Sequence, residues 1–164
     1  MRVSPALAIS VAVLTACAAS APGTSAGAAT SGSPYGAESA GARAAMAAVT
    51  DIREVVNQLP EEVWLSKGED QSVIWVEPSS RATDSMWIPW VGNEGEMGKS
   101  IAVHRHYRVL YWIFQDYWST TNQVRYSTTN SYRTSAPVPG NSTGGGRKRL
   151  SIRSDGTPFM ENAS

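Results

Sequence analysis

Beyond residue 44 the apolar positions of this chain change period, and the change predicts two kinds of element. Met46, Val49, Ile52, Val56 and Leu59 recur at steps of three or four, the spacing of one helix face. Arg53, Glu54 and Asn57 lie off that stripe, and Pro60 ends it, because proline disfavours helix at the residue before it. An amphipathic helix is predicted there, with Glu61–Trp64 restarting a short turn. Farther on, Ser72–Val76 is short, β-branched and aromatic, and Pro78 closes it. Met86–Val91 reads the same way, but Pro89 demotes it to an edge strand or a bulge. Gly92, Asn93, Gly95 and Gly98 mark a loop. Ser100–Trp118 is the longest apolar stretch and is apolar on both faces, as a central strand is. Tyr107, Leu110, Phe114 and Trp118 also fit helical steps, so a helix stays open there, although the β-branched and aromatic enrichment favours strand. Gln123–Thr134 reads as a strand, 136–146 as a loop, and Arg149–Arg153 as a period-two strand before a turn at Asp155-Gly156. The expected fold over 44–164 is α+β, with one N-terminal amphipathic helix packed on an antiparallel sheet of about four to five strands.

The start of the chain follows other rules. Arg2 supplies a positive charge, and Ala6–Leu14 is a nearly unbroken apolar run. A charged start, an apolar core of about 7–15 residues and small residues at the cut make a secretory signal. The run is too short for a bilayer span, which takes about 20 apolar residues. It ends in Leu14-Thr15-Ala16-Cys17, which resembles the lipobox of bacterial lipoproteins. That resemblance covers residues 1–17 and implies a signal peptide over 1–16, removed just before Cys17, whose thiol takes a diacylglycerol and whose acyl chains are of the palmitate class. It further implies a lipid-anchored place in the cell envelope. Ala18, in place of the Asp of inner-membrane retention, favours the outer membrane of a Gram-negative cell. Plain secretion is the alternative, because Ala16-Cys17-Ala18 and Ala19-Ser20-Ala21 both fit an ordinary cleavage site. Cys17 is the only cysteine, so no disulfide forms within the chain, and lipidation explains why an exported protein keeps one.

Residues 18–43 are almost all Ala, Gly, Ser, Thr and Pro, broken only by Tyr35, Glu38 and Arg43. Such a composition cannot bury enough apolar surface to fold and behaves as a flexible spacer. Residues 17–43 are therefore expected to form a lipidated tether, with a single domain after it.

The net charge is zero, which hides an asymmetry. From Asp51 to Met97 there are three basic and ten acidic residues, and from Gly98 to the end nine basic and three acidic. Either the halves pair within the fold, or a basic surface meets an envelope polyanion. Arg147-Lys148-Arg149, after three glycines, is the densest basic run and the candidate phosphate grip. Nucleic acid is a poor partner for an exported, neutral chain. His104 and His106 would share a strand face, but no third ligand lies nearby, so solvent-facing histidines are expected and no metal site. Glu94 and Glu96 sit in one glycine loop without the opposed geometry that paired-carboxylate hydrolysis needs. No nucleophile elbow or phosphate loop is present, and neither a cofactor nor a catalytic residue is expected.

Six tryptophans fall in the domain. Trp75 and Trp112 read as core, and Trp87 and Trp90, flanking Pro89, as the exposed contact pair. The functional expectation is a membrane-tethered envelope lipoprotein with a non-enzymatic binding or assembly role toward another envelope protein. The alternatives are a module binding an anionic or glycan component, and an enzyme whose site is assembled from distant residues.

Overall fold

A computed structural model describes residues 48–164. The expected signal peptide, Cys17 and the expected tether lie outside the described residues.

The segment expected to be helical is a strand, β1 (Thr50–Asn57). The expected α+β class is thereby corrected: the described domain is mostly β, with two sheets of four and seven strands, and its helical element is a 3-10 turn at Glu94–Lys99. A bulge explains the misleading period. The register of β1 shifts between Ile52 and Glu54 against both of its neighbours: against β10 Arg53 is an extra residue, and against β4 two residues, Asp84 and Ser85, stand opposite it. The inward positions Ile52, Val55 and Asn57 are then spaced by three and two, which imitates a helical step. Thr50, Ile52, Val55 and Val56 are β-branched and suit the pleat.

Ten more strands follow: β2 (Val63–Lys67), β3 (Val73–Val76), β4 (Arg81–Trp87), β5 (Trp90–Val91), β6 (Ile101–Arg105), β7 (Arg108–Asp116), β8 (Val124–Ser127), β9 (Ala136–Pro137), β10 (Gly146–Ile152) and β11 (Pro158–Asn162). The smaller sheet runs β11-β10-β1-β4, with β1 parallel to β10 and antiparallel to β4. The larger is an antiparallel path β3-β2-β6-β7-β8-β9, with β5 parallel to the end of β7 on the side away from β8. The Ser100–Trp118 stretch is thus a hairpin, β6 and β7, rather than one strand or a helix.

Both sheets turn one face into a shared core, to which Ile52, Val55, Leu65, Ile113, Leu150 and Met160 contribute. Buried Gln115 ties the inner face to the start of β1, accepting from the Thr50 amide at 2.9 Å and donating to the Ala48 carbonyl at 3.2 Å. Asn57, also buried, ties the other end of β1. Its amide nitrogen donates to the Glu61 carbonyl at 2.7 Å and the Glu77 carbonyl at 3.0 Å, and its oxygen accepts from the Leu59 amide at 3.0 Å. The outer face of the larger sheet is divided. Over β7 and β8, Val91, Met97 and Phe114 form a second small cluster with Trp112 and Tyr132 packed against it. Over β3, β2 and β6 that face is open.

Candidate functional site

Strand alternation decides which rings reach the open face. In β2, Val63 and Leu65 are buried, so Trp64 and Ser66 point out; in β3, Ile74 and Val76 are buried, so Trp75 points out. Pairing puts Trp64 directly opposite Trp75 on one side and His104 of β6 on the other. Strands lie about 4.8 Å apart, so rings at facing positions stack. Trp64 and Trp75 have centroids 5.0 Å apart with planes at 29°, and Trp64 and His104 are also at 5.0 Å, with planes at 4°. Ser66 Oγ lies 2.7 Å from His104 Nε2 and fixes the imidazole. Burial in this stack holds the His104 pKa below its ordinary value, so the ring is kept neutral. The pile ends at Trp75, on the edge strand, 58% exposed.

Beside it, β6 and β7 join through a two-residue turn, His106-Tyr107, between paired Arg105 and Arg108. His106 takes the positive φ, 53°, that tight hairpin loops use. Tyr107 projects into solvent, fully exposed. A cavity of about 570 Å³ lies between the turn and the ring pile, lined by Glu61, Glu62, Trp64, Trp75, His106 and Tyr107. On the other flank of Tyr107 a second concavity of about 430 Å³ adds Arg105, Arg108 and Leu110. Arg105 Nε lies 2.9 Å from Glu61 Oε2, so an arginine holds this carboxylate, while Asn57 holds the Glu61 backbone carbonyl. Glu62 is exposed, and Arg108 has no ion pair among the described residues. The arrangement offers flat rings, a carboxylate beside them and a free guanidinium across the turn. No protein-family model, curated protein or solved structure matches this chain.

A second aromatic group lies at the other end of β7. Tyr117 and Trp118 follow that strand, their rings edge-on at 90° with centroids 5.1 Å apart, and Trp90 meets Tyr117 edge-on at 6.4 Å. Trp118 Nε1 donates to the Gly92 carbonyl at 2.8 Å. A Cβ on Gly92 would stand 3.2 Å from that nitrogen, so glycine lets the indole N–H edge come close to the loop.

The residues singled out from sequence are dispersed. Trp87 is 54% exposed and Trp90 half-buried, each at the second aromatic group's end of the domain. Trp75, expected in the core, is exposed, and Trp112 is only half-buried. Arg147, Lys148 and Arg149 do not form a loop grip, because they lie along β10 and alternate. Lys148 is buried; its ammonium donates to Asn162 Oδ1 at 2.8 Å, the Thr143 carbonyl at 3.0 Å and Asn141 Oδ1 at 3.3 Å. Arg149 Nε is 2.6 Å from Glu54 Oε2, so this cation is taken up by the acidic half; Arg147 alone of the three is exposed. His104 and His106 are separated by the start of the turn, and no cluster of metal-binding side chains occurs among the described residues. Glu94 accepts from Ser131 Oγ and from the amides of Tyr132 and Arg133, and Glu96 from the Gly92 amide and Lys99. These bonds pull both carboxyls below the ordinary range, led by Ser131 for Glu94 and Gly92 for Glu96. Trp64 and Tyr107, which the sequence reading did not single out, are the site's centre. The signal was available in Val63-Trp64-Leu65-Ser66, a period-two run hidden by reading Glu61–Trp64 as a turn.

Proposed function

We propose that this chain is a membrane-tethered envelope protein whose domain binds a saccharide at the cavity between Trp75, Trp64 and Tyr107. The observation carrying this reading is the in-register pile of rings that ends in an exposed tryptophan beside a carboxylate-lined cavity of about 570 Å³. An aromatic face is electron-rich. The face of a pyranose ring presents C–H bonds of opposite polarity, and its rim carries hydroxyls that donate to Glu61 and Glu62. Ligand cavities of about 300–1,000 Å³ with few polar groups are the usual form of such sites. The stacking also fixes the rings before a ligand arrives, which lowers the ordering cost of binding. A polyanion fits less well here: two carboxylates line the cavity, and the densest basic run is split between interior, ion pair and solvent. Arg108 leaves room for an acidic substituent on a sugar.

The tether rests on the lipobox at Leu14–Cys17 and the spacer composition. Labelled palmitate incorporated by the parent and lost in Cys17→Ala tests the anchor. Titration with neutral and acidic oligosaccharides, N-acetylglucosamine oligomers among them, followed by tryptophan fluorescence, tests the site. Trp75→Ala should cost about 2 kcal/mol of binding, or about thirtyfold in affinity. Binding by no oligosaccharide, or binding unchanged in both Trp75→Ala and Tyr107→Ala, removes this reading and returns the domain to a protein-partner role.

A further inference from the structure

We infer that Tyr117 and Trp118, with Trp87 at the same end of the domain, form a second binding surface, and that its occupant is the headgroup and upper acyl region of the bilayer that anchors the chain. This rests on the tethered reading above. Three observations carry it. First, the pair is exposed yet rigid. Trp118 is 70% and Tyr117 53% exposed, while the Trp118 indole is bonded to the Gly92 carbonyl and its backbone amide to Asp116 Oδ1 at 3.0 Å. An indole and a phenol, each an apolar body with a polar tip, suit the boundary between headgroups and acyl chains. Second, the carboxylates around the pair are already engaged. Asp116 accepts from Tyr132 Oη at 2.8 Å and faces Arg125, Glu94 caps the 131–133 backbone, and Glu96 holds Gly92. They therefore do not stand free against an anionic leaflet.

The third observation selects the occupant. The chain enters the domain at Ala48, beside this same end. Ala48 lines a hollow with Thr120, Thr121, Asn122, Thr143 and Gly144, and Thr120 lies two residues after Trp118. Gly145, at φ +65°, packs so close that a Cβ there would be 2.1 Å from the Ala48 carbonyl oxygen, which seats the entering segment firmly. Trp87 pairs with Asp51, next to the first residue of β1. An anchor at Cys17 would therefore act on the domain through this end, where the described residues begin. By composition and length alone, the 30 residues after Cys17 correspond to an r.m.s. span of about 30 Å. At millimolar effective concentration a weak interfacial contact is enough. The saccharide cavity lies at the opposite end of β7, about 30 Å away for a strand of nine residues. With the pair in the bilayer, that cavity points away from the membrane.

The test uses the chain from Cys17 to Ser164, which keeps every described residue. Cys17, its only cysteine, is coupled to maleimide lipid in phosphatidylcholine–phosphatidylglycerol vesicles containing brominated acyl chains, which quench tryptophan at contact. Quenching is expected in the parent, and it should persist at high salt. Trp118→Phe should remove part of it, Tyr117→Ser with Trp118→Ser and Trp87→Ser nearly all of it, and Trp75→Phe none, because that indole lies at the far end. Circular dichroism at each variant guards against misfolding, and Trp118→Phe keeps an aromatic ring in place. Absent quenching, quenching that survives the triple serine variant, or quenching lost in Trp75→Phe overturns the proposal. Chemical coupling supplies the tether whatever the cell does, so failure of palmitate labelling overturns the lipoprotein reading and is not confused with failure on vesicles.

Discussion

The two aromatic groups, each built around tryptophans, lie toward opposite ends of β7, yet their rings meet at very different angles. Trp75, Trp64 and His104 stack nearly parallel, at 29° and 4°, whereas Trp90, Tyr117 and Trp118 meet edge-on, at 88° and 90°. The first set sits at facing positions on three neighbouring strands, so strand spacing imposes the stack. The second sits where β7 ends, and a loop carbonyl, not a ladder, fixes its outermost ring. Ordered stacking makes a flat-sided receptor with a cavity beside it; edge-on packing makes a projecting knob. Aromatic content alone would not tell these apart, because the difference lies in register.

Breaking each end separately sharpens that contrast. Asn57→Ala should have the largest effect. It removes the bonds to Glu61 and Glu77 and leaves their carbonyls and the Leu59 amide unpaired, a loss of about 3 kcal/mol in urea unfolding. Oligosaccharide binding should fall with it, because Glu61 loses its backbone hold. Lys148→Met attacks the other end by freeing Thr143, Asn141 and Asn162, and should cost about 2 kcal/mol while leaving oligosaccharide binding intact. Tyr111, between the two ends, is buried in the core with no hydrogen-bond partner for its hydroxyl among the described residues. Tyr111→Phe should stabilise the domain by about 1 kcal/mol and alter neither surface. The smallest effect concerns acid. Burial lowers the folded pKa of His104, so as pH falls below about 6.5 the unfolded chain takes up the proton first and stability declines. Unfolding midpoints measured from pH 7.5 to 5 should drop in the parent, and drop less in His104→Gln.

Short apolar segments bounded by turn residues were legible. Val73–Val76 lies within the β-branched, aromatic Ser72–Val76, though with Trp75 outward rather than in the core; Arg149–Ile152 lies within the period-two Arg149–Arg153; and Gly156 makes the expected turn before β11. Pro89 separates β4 from β5, as its missing donor requires. What stayed hidden depends on single irregular residues. Arg53 bulges out of β1 and turns a strand period into a helical one. His106 takes a positive φ without being Gly, Asn or Asp, so nothing in composition marks the turn that splits β6 from β7. Trp87 and Trp90 stand out in the sequence by flanking a proline, and they lie away from the ring ladder. The ladder could not be read, because it exists only once β2, β3 and β6 lie side by side.

The parallel partnership of β1 and β10 has a temporal meaning. Thr50 pairs with Gly146 and Asn57 with Ile152, so the first strand of the domain is matched by one of the last. Contacts this distant in sequence slow folding, because a long loop must close before they form. During synthesis the smaller sheet stays incomplete until almost the whole chain has left the ribosome. For that interval β1 can have β4 on one side and only a bare edge on the other, and unpaired strand edges are where chains misassociate.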